Sequence, residues 1–313
     1  MKTNLKEGKT IKAVNAAMKN VSTQLTNVDL DTFNNILSAS TAELINLSEV
    51  TKDSAYEKYY ASCRTGQEVK SNYDGISYED FNSDNKVINI LSDRYSLVQH
   101  EDLFKNVFDV LNDNSIEYDI SKVYVDQRPG SNKIYGVLTL NGVSVDIDGS
   151  PVSPSIDVFN STDGTLAAGI LFGAYRFKCG NGMLIGESYG LEKVIHTPSA
   201  IKRLQFEKLF ESAMQQFKDL NESIERMQFI KLETSHMETL KKLGFNSMFI
   251  KHYDHILEKY MIDKREDVKK DTLWGLYATA TNYISNHIMR KSIREAIAQQ
   301  NIINNLRISS TRQ

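Results

Sequence analysis

The chain has 313 residues, 41% hydrophobic and 25% charged, with a formal net charge of −3. That balance suits a protein with a packed core and excludes wholesale disorder. Two cysteines, Cys63 and Cys179, exclude a disulfide framework and a cysteine-rich zinc module and point to the reducing cytoplasm.

The N-terminal residues 1–20 carry Lys2, Lys6, Lys9, Lys12 and Lys19 but no apolar signal core. Val14, Ala17, Met18, Val21 and Leu25 recur near period 3.6, so the chain to about Val50 reads as helical. Asp31 precedes a second short pattern, Phe33, Ile36 and Leu37. Residues 51–85 are polar and tyrosine-rich and define no element. From His100 to Asn112, Leu103, Phe104, Val107, Phe108 and Leu111 make one stripe, with Glu101 and Asp102 in the dipole-favoured first turn.

Period two takes over from Ile116 to Gly186. Tyr118, Ile120, Val123 and Val125 predict a strand with a bulge. Ile134–Leu140 and Val143–Ile147 flank Asn141-Gly142, which predicts a two-residue hairpin, while Asp148-Gly149 offers a second turn. Ile156–Asn160 and Gly169–Cys179 follow as strands, with turns at Asp163-Gly164 and Asn181-Gly182. Such short connections favour an antiparallel meander. Thr197-Pro198 is a helix start, with a Thr cap and a proline whose missing N–H costs nothing there. Helices are expected from 198, over Leu232–Leu243 ended by Gly244, over Ser247–Tyr260, and from an Asp271 cap to about Ile288. The expectation is an α+β fold: a central antiparallel meander sheet of about five strands flanked by helices, with a helical C-terminal half. Its regions are 1–85 (helical and irregular), 86–197 (β-rich), 198–290 (helical, packed on the sheet) and 291–313 (a polar tail).

The window Ser153–Asn181 is the richest in chemistry. Asn160, Ser161 and Asp163 suit turn capping, and Asp163 also invites a mixed-charge cluster with Arg176 and His196. Cys179, His196 and Asp163 could make a nucleophile, base and orienter. Gly180–Gly186 has glycines but no P-loop lysine, so no nucleotide cofactor is expected. His252 and His255 lack a zinc-protease pattern, and Asp146, Asp148 and Asp157 lack a partner lysine in register, so no metal is assigned. Arg128, Lys133, Tyr175, Arg176 and Lys178, with Tyr124, Tyr135 and Phe177, interleave cations for phosphates with aromatic faces for bases.

Several segments together resemble a known family. Asn160-Ser161-Thr162-Asp163-Gly164-Thr165 is similar to its Asn-Ser-His-Asp-Gly-Ser, and Arg176 to Asn181 is similar to its Arg-x-x-Cys-x-Asn. His196-Thr197, the stretch Asp93 to Glu101, and Thr272 to Tyr277 with Trp274 match further segments in the same order. The family is the phage/plasmid-like group called domain of unknown function 932, and the resemblance covers roughly residues 80–290. Thr162 stands where the family has His, and Ile195 where it has Arg. The resemblance implies a phage or mobile-element setting and no settled activity.

Residues 1–190 hold 17 Lys/Arg against 25 Asp/Glu, whereas residues 191–313 hold 20 against 15. A basic C-terminal half suits a polyanion, and it equally suits a solvated helical surface, which is the plainer reading of charges on helices. The leading expectation is therefore a non-enzymatic, phage-encoded DNA-associated protein that binds or anneals single strands in replication or recombination. The alternatives are a metal-dependent hydrolase or nuclease, and an interaction protein that targets a host factor or assembles into a homo-oligomer. No membrane partner is expected, because no apolar run approaches the roughly 20 residues that span a bilayer.

Overall fold

The computed structural model describes residues 22–64, 87–128, 130–147, 150–176, 181–184, 191–194, 214, 217, 222–260 and 271–311. The chain runs through β1 (Ser22–Val28), α1 (Leu30–Ala39), β2 (Ala42–Asn46), α2 (Leu47–Thr51), β3 (Tyr59–Arg64), β4 (Val87–Ser92) and α3 (His100–Asp113). Strands β5 (Tyr118–Asp126), β6 (Lys133–Leu140), β7 (Val145–Ile147), β8 (Ser150–Ser161), β9 (Ala168–Arg176), β10 (Asn181–Leu184) and β11 (Leu191–Val194) follow. Then come α4 (Thr234–Lys242), α5 (Ser247–Lys251), α6 (Tyr253–Tyr260), α7 (Leu273–Tyr283), a π-helical turn (Ile284–Ile288) and α8 (Ile293–Thr311). Residues 222–229 are also helical.

The period-two segment builds an antiparallel sheet in the order β1-β5-β6-β8-β9-β10, with β7 on β8 and β11 on β9. Alternation along these strands sorts side chains into two cores. Val123, Val125, Ile134, Leu138, Ile156, Val158, Ile170 and Phe172 cluster with Phe33 and Ile36 of α1 and Leu103, Phe104 and Val107 of α3. Burying each such side chain stabilises by about 1.5–3 kcal/mol. The α3 helix lies close: a Cβ on Gly136 would stand 2.8 Å from the Phe104 ring. Tyr124, Tyr135, Val137, Phe159 and Leu171 cluster instead with Trp274, Leu276, Tyr277, Ala280 and Ile284 of the C-terminal helices. The sheet is thus the middle layer of three. A second sheet, β2-β3-β4, has its own small core of Leu47, Ala61, Cys63 and Val87.

The α+β class, the antiparallel meander and the helical C-terminal half are as the sequence predicts, and the β5 bulge falls between Ile120 and Lys122. Other expectations need correction. Leu25 lies in a strand, not a helix, because Ser22–Val28 pairs with β5 from Ser22 opposite Asp126 to Val28 opposite Ile120. The cap of α1 is Asp29, whose Oδ1 accepts the Thr32 N–H at 2.7 Å; Asp31 sits in the first turn. Asn141-Gly142 does not join a β6–β7 hairpin, since β6 and β7 both pair with β8 and Ile147 stands opposite Ser150. Asn181 and Gly182 are the first residues of β10, opposite Arg176 and Tyr175, rather than a turn.

The expected helix 247–260 breaks at His252 into α5 and α6. Thr272, not Asp271, caps α7, with its Oγ1 accepting the Gly275 N–H at 3.3 Å. Residues 293–311, expected as part of a polar tail, form α8 and bury Ile293, Ala296, Ile297, Ile303 and Leu306 in the C-terminal core. The helix expected from 198 falls mostly outside the described residues, as does the tyrosine-rich stretch beyond Arg64. Among the described residues no helix is long and apolar enough to cross a membrane.

Candidate functional site

The segment Asn160–Asp163 turns inward. All four residues are fully buried. Asp163 opens an Asx turn, its Oδ1 accepting the Thr165 N–H at 2.8 Å and the Thr165 hydroxyl at 2.6 Å. Its Oδ2 accepts the Asn132 N–H at 3.0 Å and meets Lys133 Nζ at 3.2 Å. Burial alone would raise this carboxyl, but the Thr165 and Asn132 hydrogen bonds and the Lys133 charge outweigh it and hold the group below its usual value. The backbone carbonyls of the same loop take donors from the second sheet region. Ser62 Oγ donates to Thr162 O at 2.8 Å, Asn89 Nδ2 to Asp163 O at 2.8 Å, and Tyr95 OH to Ser161 O at 3.2 Å. Gly164 has φ +72°, and a Cβ there would meet Leu91 Cδ2 at 2.6 Å. The loop is therefore a staple between two sheets, built by residues that sequence reasoning nominated as a polar rim.

The predicted cluster of Asp163 with Arg176 does not form. The β8–β9 reversal lies at the Asp163 turn, so β9 runs away from it and Arg176 pairs with Val152. Val152 and Ser161 stand nine positions apart along β8, roughly 30 Å at strand rise. Cys179, His196, Thr197 and Lys178 lie outside the described residues, and Tyr175 and Arg176 are described in backbone only. Val194 pairs with Ala168, at the Asp163 end of β9. Asp146 is exposed whereas Asp157 is buried, and no described set of His, Cys, Asp or Glu could hold a metal ion.

Two of the predicted aromatic faces, Tyr124 and Tyr135, are inside; Tyr175 is described in backbone only and Phe177 lies outside the described residues. Tyr124 and Tyr135 are buried, their rings 6.4 Å apart, and Trp274 is buried beside Tyr277 at 6.1 Å. None of the three is placed to stack on a base. Lys133 is committed to Asp163 and to Ser131 Oγ at 2.8 Å.

The tyrosines belong instead to a buried polar cluster that the sequence did not announce. Tyr135 OH donates to Asp157 Oδ2, and Ser155 Oγ donates to Asp157 Oδ1 at 3.0 Å. Lys122 Nζ donates to Ser285 O at 3.2 Å and Asn286 Oδ1 at 3.4 Å, and Tyr124 OH donates to Ser285 O. Burial pushes the Asp157 carboxyl up to about 6, against the hydrogen bonds from Tyr135 and Ser155 and the Lys122 charge. The acceptors Ser285 and Asn286 sit on the π-helical turn, where the wider winding changes which carbonyls are left for side chains. Alternation of Lys122, Tyr124 and Asp126 was the available signal, but it does not say that the face is covered.

Cations do gather at the far end of β5. Arg128 closes a forked pair with Asp126, Nε to Oδ1 at 2.8 Å and Nη2 to Oδ2 at 2.7 Å, while 48% of its side chain stays exposed. Its Nη2 also reaches Lys291 O at 3.4 Å. Arg290 Nε donates to Gln24 Oε1 on β1 at 3.1 Å, and Lys291 Nζ lies 2.9 Å from His287 Nε2. Arg290, Lys291 and Arg294 are exposed, and Arg294 lies in the first turn of α8, where the helix dipole adds positive potential. Among the described residues Asp126 pairs with Arg128 here, and Glu295 follows Arg294 in the chain. Of the predicted phosphate contacts, Arg128 lies within this rim, and Lys133, opposite Asp126 on β6, stands at the same end but is turned to Asp163. Arg290, Lys291 and Arg294 were hidden in the stretch taken as the end of a helix and a tail.

A covered antiparallel sheet with an inward-turned motif loop and a cationic rim defines the protein as an α+β scaffold with charge at one edge. The chain matches the family described as Domain of unknown function (DUF932) over residues 87–307, more than two thirds of its length, and belongs to it. No curated protein and no solved structure matches the chain.

Proposed function

We propose that this protein is a phage-type, non-enzymatic nucleic-acid-associated protein that holds single-stranded DNA by its phosphates. The observation that carries the reading is the rim itself: Arg128 on the β5–β6 connection lies against Lys291, and Arg290, Lys291 and Arg294 are all solvent-exposed. Phosphate contacts from such cations supply most sequence-independent affinity. The buried placement of Tyr124 and Tyr135 supports contact through the backbone rather than stacking at this rim.

The test is a shift assay with labelled single-stranded DNA over a salt series. Retarded complex at low salt that fades steeply as salt rises supports the reading. Equal retardation by the Arg290→Gln/Lys291→Gln/Arg294→Gln variant, or no retardation at low salt, removes it.

A further inference from the structure

We propose that a second copy of this chain pairs antiparallel along the outer edge of β1, joining two eight-stranded sheets about a two-fold axis near Leu25. Strand β1 ends the sheet order, and among the described residues no strand lies on its outer side. An edge strand presents unpaired N–H and C=O groups, and folds that must stay single protect it with charge, proline or a bulge. Ser22–Val28 reads STQLTNV, with none of Lys, Arg, Asp, Glu or Pro; its register on β5 runs without a shift from Ser22 to Thr26, and the left-handed Asn27 (φ 50°) interrupts the extended backbone only at the last step before Val28.

Charge is polarised along the same strand. At the Ser22 end stand Arg128, beyond Asp126 opposite Ser22, and Arg290, bonded to Gln24. At the Val28 end an open groove of about 720 Å³ is lined by Asp29, Glu117 and Asp119, with Leu30 beside them 49% exposed. Seven residues of strand place these ends roughly 20 Å apart. Antiparallel pairing of β1 with its copy sets each Ser22 end against the other Val28 end, so cations meet carboxylates twice. Parallel pairing would set like charges together. Such a contact is isologous and closes at two chains. A seven-residue edge with charged flanks stands at the small end of specific interfaces, so the dimer is concentration-dependent and weakened by salt.

The inference does not rest on the nucleic-acid reading, and its test uses the full chain without nucleic acid. Sedimentation equilibrium at low salt is expected to show a monomer–dimer equilibrium. Asp119→Lys and Arg290→Glu should each weaken dimerisation about tenfold or more, and both changes in one chain should restore it, because the opposite charges then meet again. Hydrogen exchange supplies the second readout: the amides of Ser22–Val28 that face away from β5 should gain protection as protein concentration rises. A monomer at all concentrations to roughly 100 μM, the weak end of specific association, overturns the proposal. So does a double variant no better than the singles. Equal protection at low concentration of the β1 amides that face away from β5 also overturns it, since the edge is then covered by the chain's own residues. Arg294→Gln separates the two readings, being expected to weaken DNA retention and leave the dimer constant unchanged.

Discussion

Two buried aspartates carry opposite consequences. Asp163 meets two N–H or O–H donors from Thr165, one from Asn132 and the Lys133 ammonium, and its ionised form is favoured. Asp157 is buried, with Tyr135 and Ser155 as its direct donors among the described residues, and burial favours its protonated form, pushing the carboxyl up to about 6. A folded-state value above the unfolded one means that the folded state binds the extra proton. This group's contribution therefore favours folding more as pH falls through 6 towards 4, and that gain is lost as pH rises again. Asp157→Asn removes the titration. Denaturant unfolding across that window should show the parent gaining, relative to the variant, up to roughly 2 kcal/mol towards pH 4. Parallel pH profiles for the two proteins would contradict this. The turn role of Asp163 was legible in its Asp-Gly spacing. That its loop faces inward was not, because the donors come from Ser62, Asn89 and Tyr95, between 66 and 100 residues away in sequence.

At the scale of elements, legibility follows how locally each one is held. The α3 helix was readable because one continuous apolar stripe faces one core. The last helix was not. In α8 the residues Gln299, Gln300, Asn304 and Arg307 are buried alongside Ile303 and Leu306, so hydropathy does not mark its inner face. These polar groups tie other segments down: Gln299 Oε1 accepts the Asn246 N–H at 2.6 Å, its Nε2 donates to Gly244 O at 3.3 Å, and Arg307 Nη1 donates to Ser223 Oγ at 3.1 Å. Gln299→Ala should cost about 1–3 kcal/mol by leaving the Asn246 N–H without its acceptor. Asn305→Ala, at an exposed position of the same helix, should change stability by no more than about 0.5 kcal/mol. Equal thermal midpoints for the two variants would argue that α8 is not docked as described. The β1 strand was misread for a related reason: Val21 and Leu25 fit period 3.6, but long-range pairing with β5 overrides a local pattern in so short a segment.

Across the whole molecule, the family match begins at β4, yet the fold does not. Strand β1 pairs with β5, and Phe33, Ile36 and Leu37 of α1 sit in the core against Phe104 and Val107. Phe33 and Phe104 touch edge to face at 4.9 Å. A fragment spanning 87–313 should therefore lose cooperative unfolding and expose one face of the sheet, while the full chain unfolds in a single transition. A fragment with full-length cooperativity would show residues 22–64 to be dispensable. The sequence conveyed the meander, its covering helices and the kinds of residue near its ends. It did not convey which charges face water, because Lys122 and Lys133 look like Arg128 in one dimension while the fold buries the first, nearly buries the second and half-exposes the third.

The cationic rim is the central claim, and the salt dependence of single-stranded DNA affinity tests it most directly. Each lost phosphate contact lowers the slope of log affinity against log salt by about 0.7 for a single strand. Arg294→Gln should reduce the slope by about that amount, and Arg290→Gln/Arg294→Gln by about twice as much, with folding unchanged. Slopes identical to the parent's in both variants would place any bound strand elsewhere on the molecule and contradict the account.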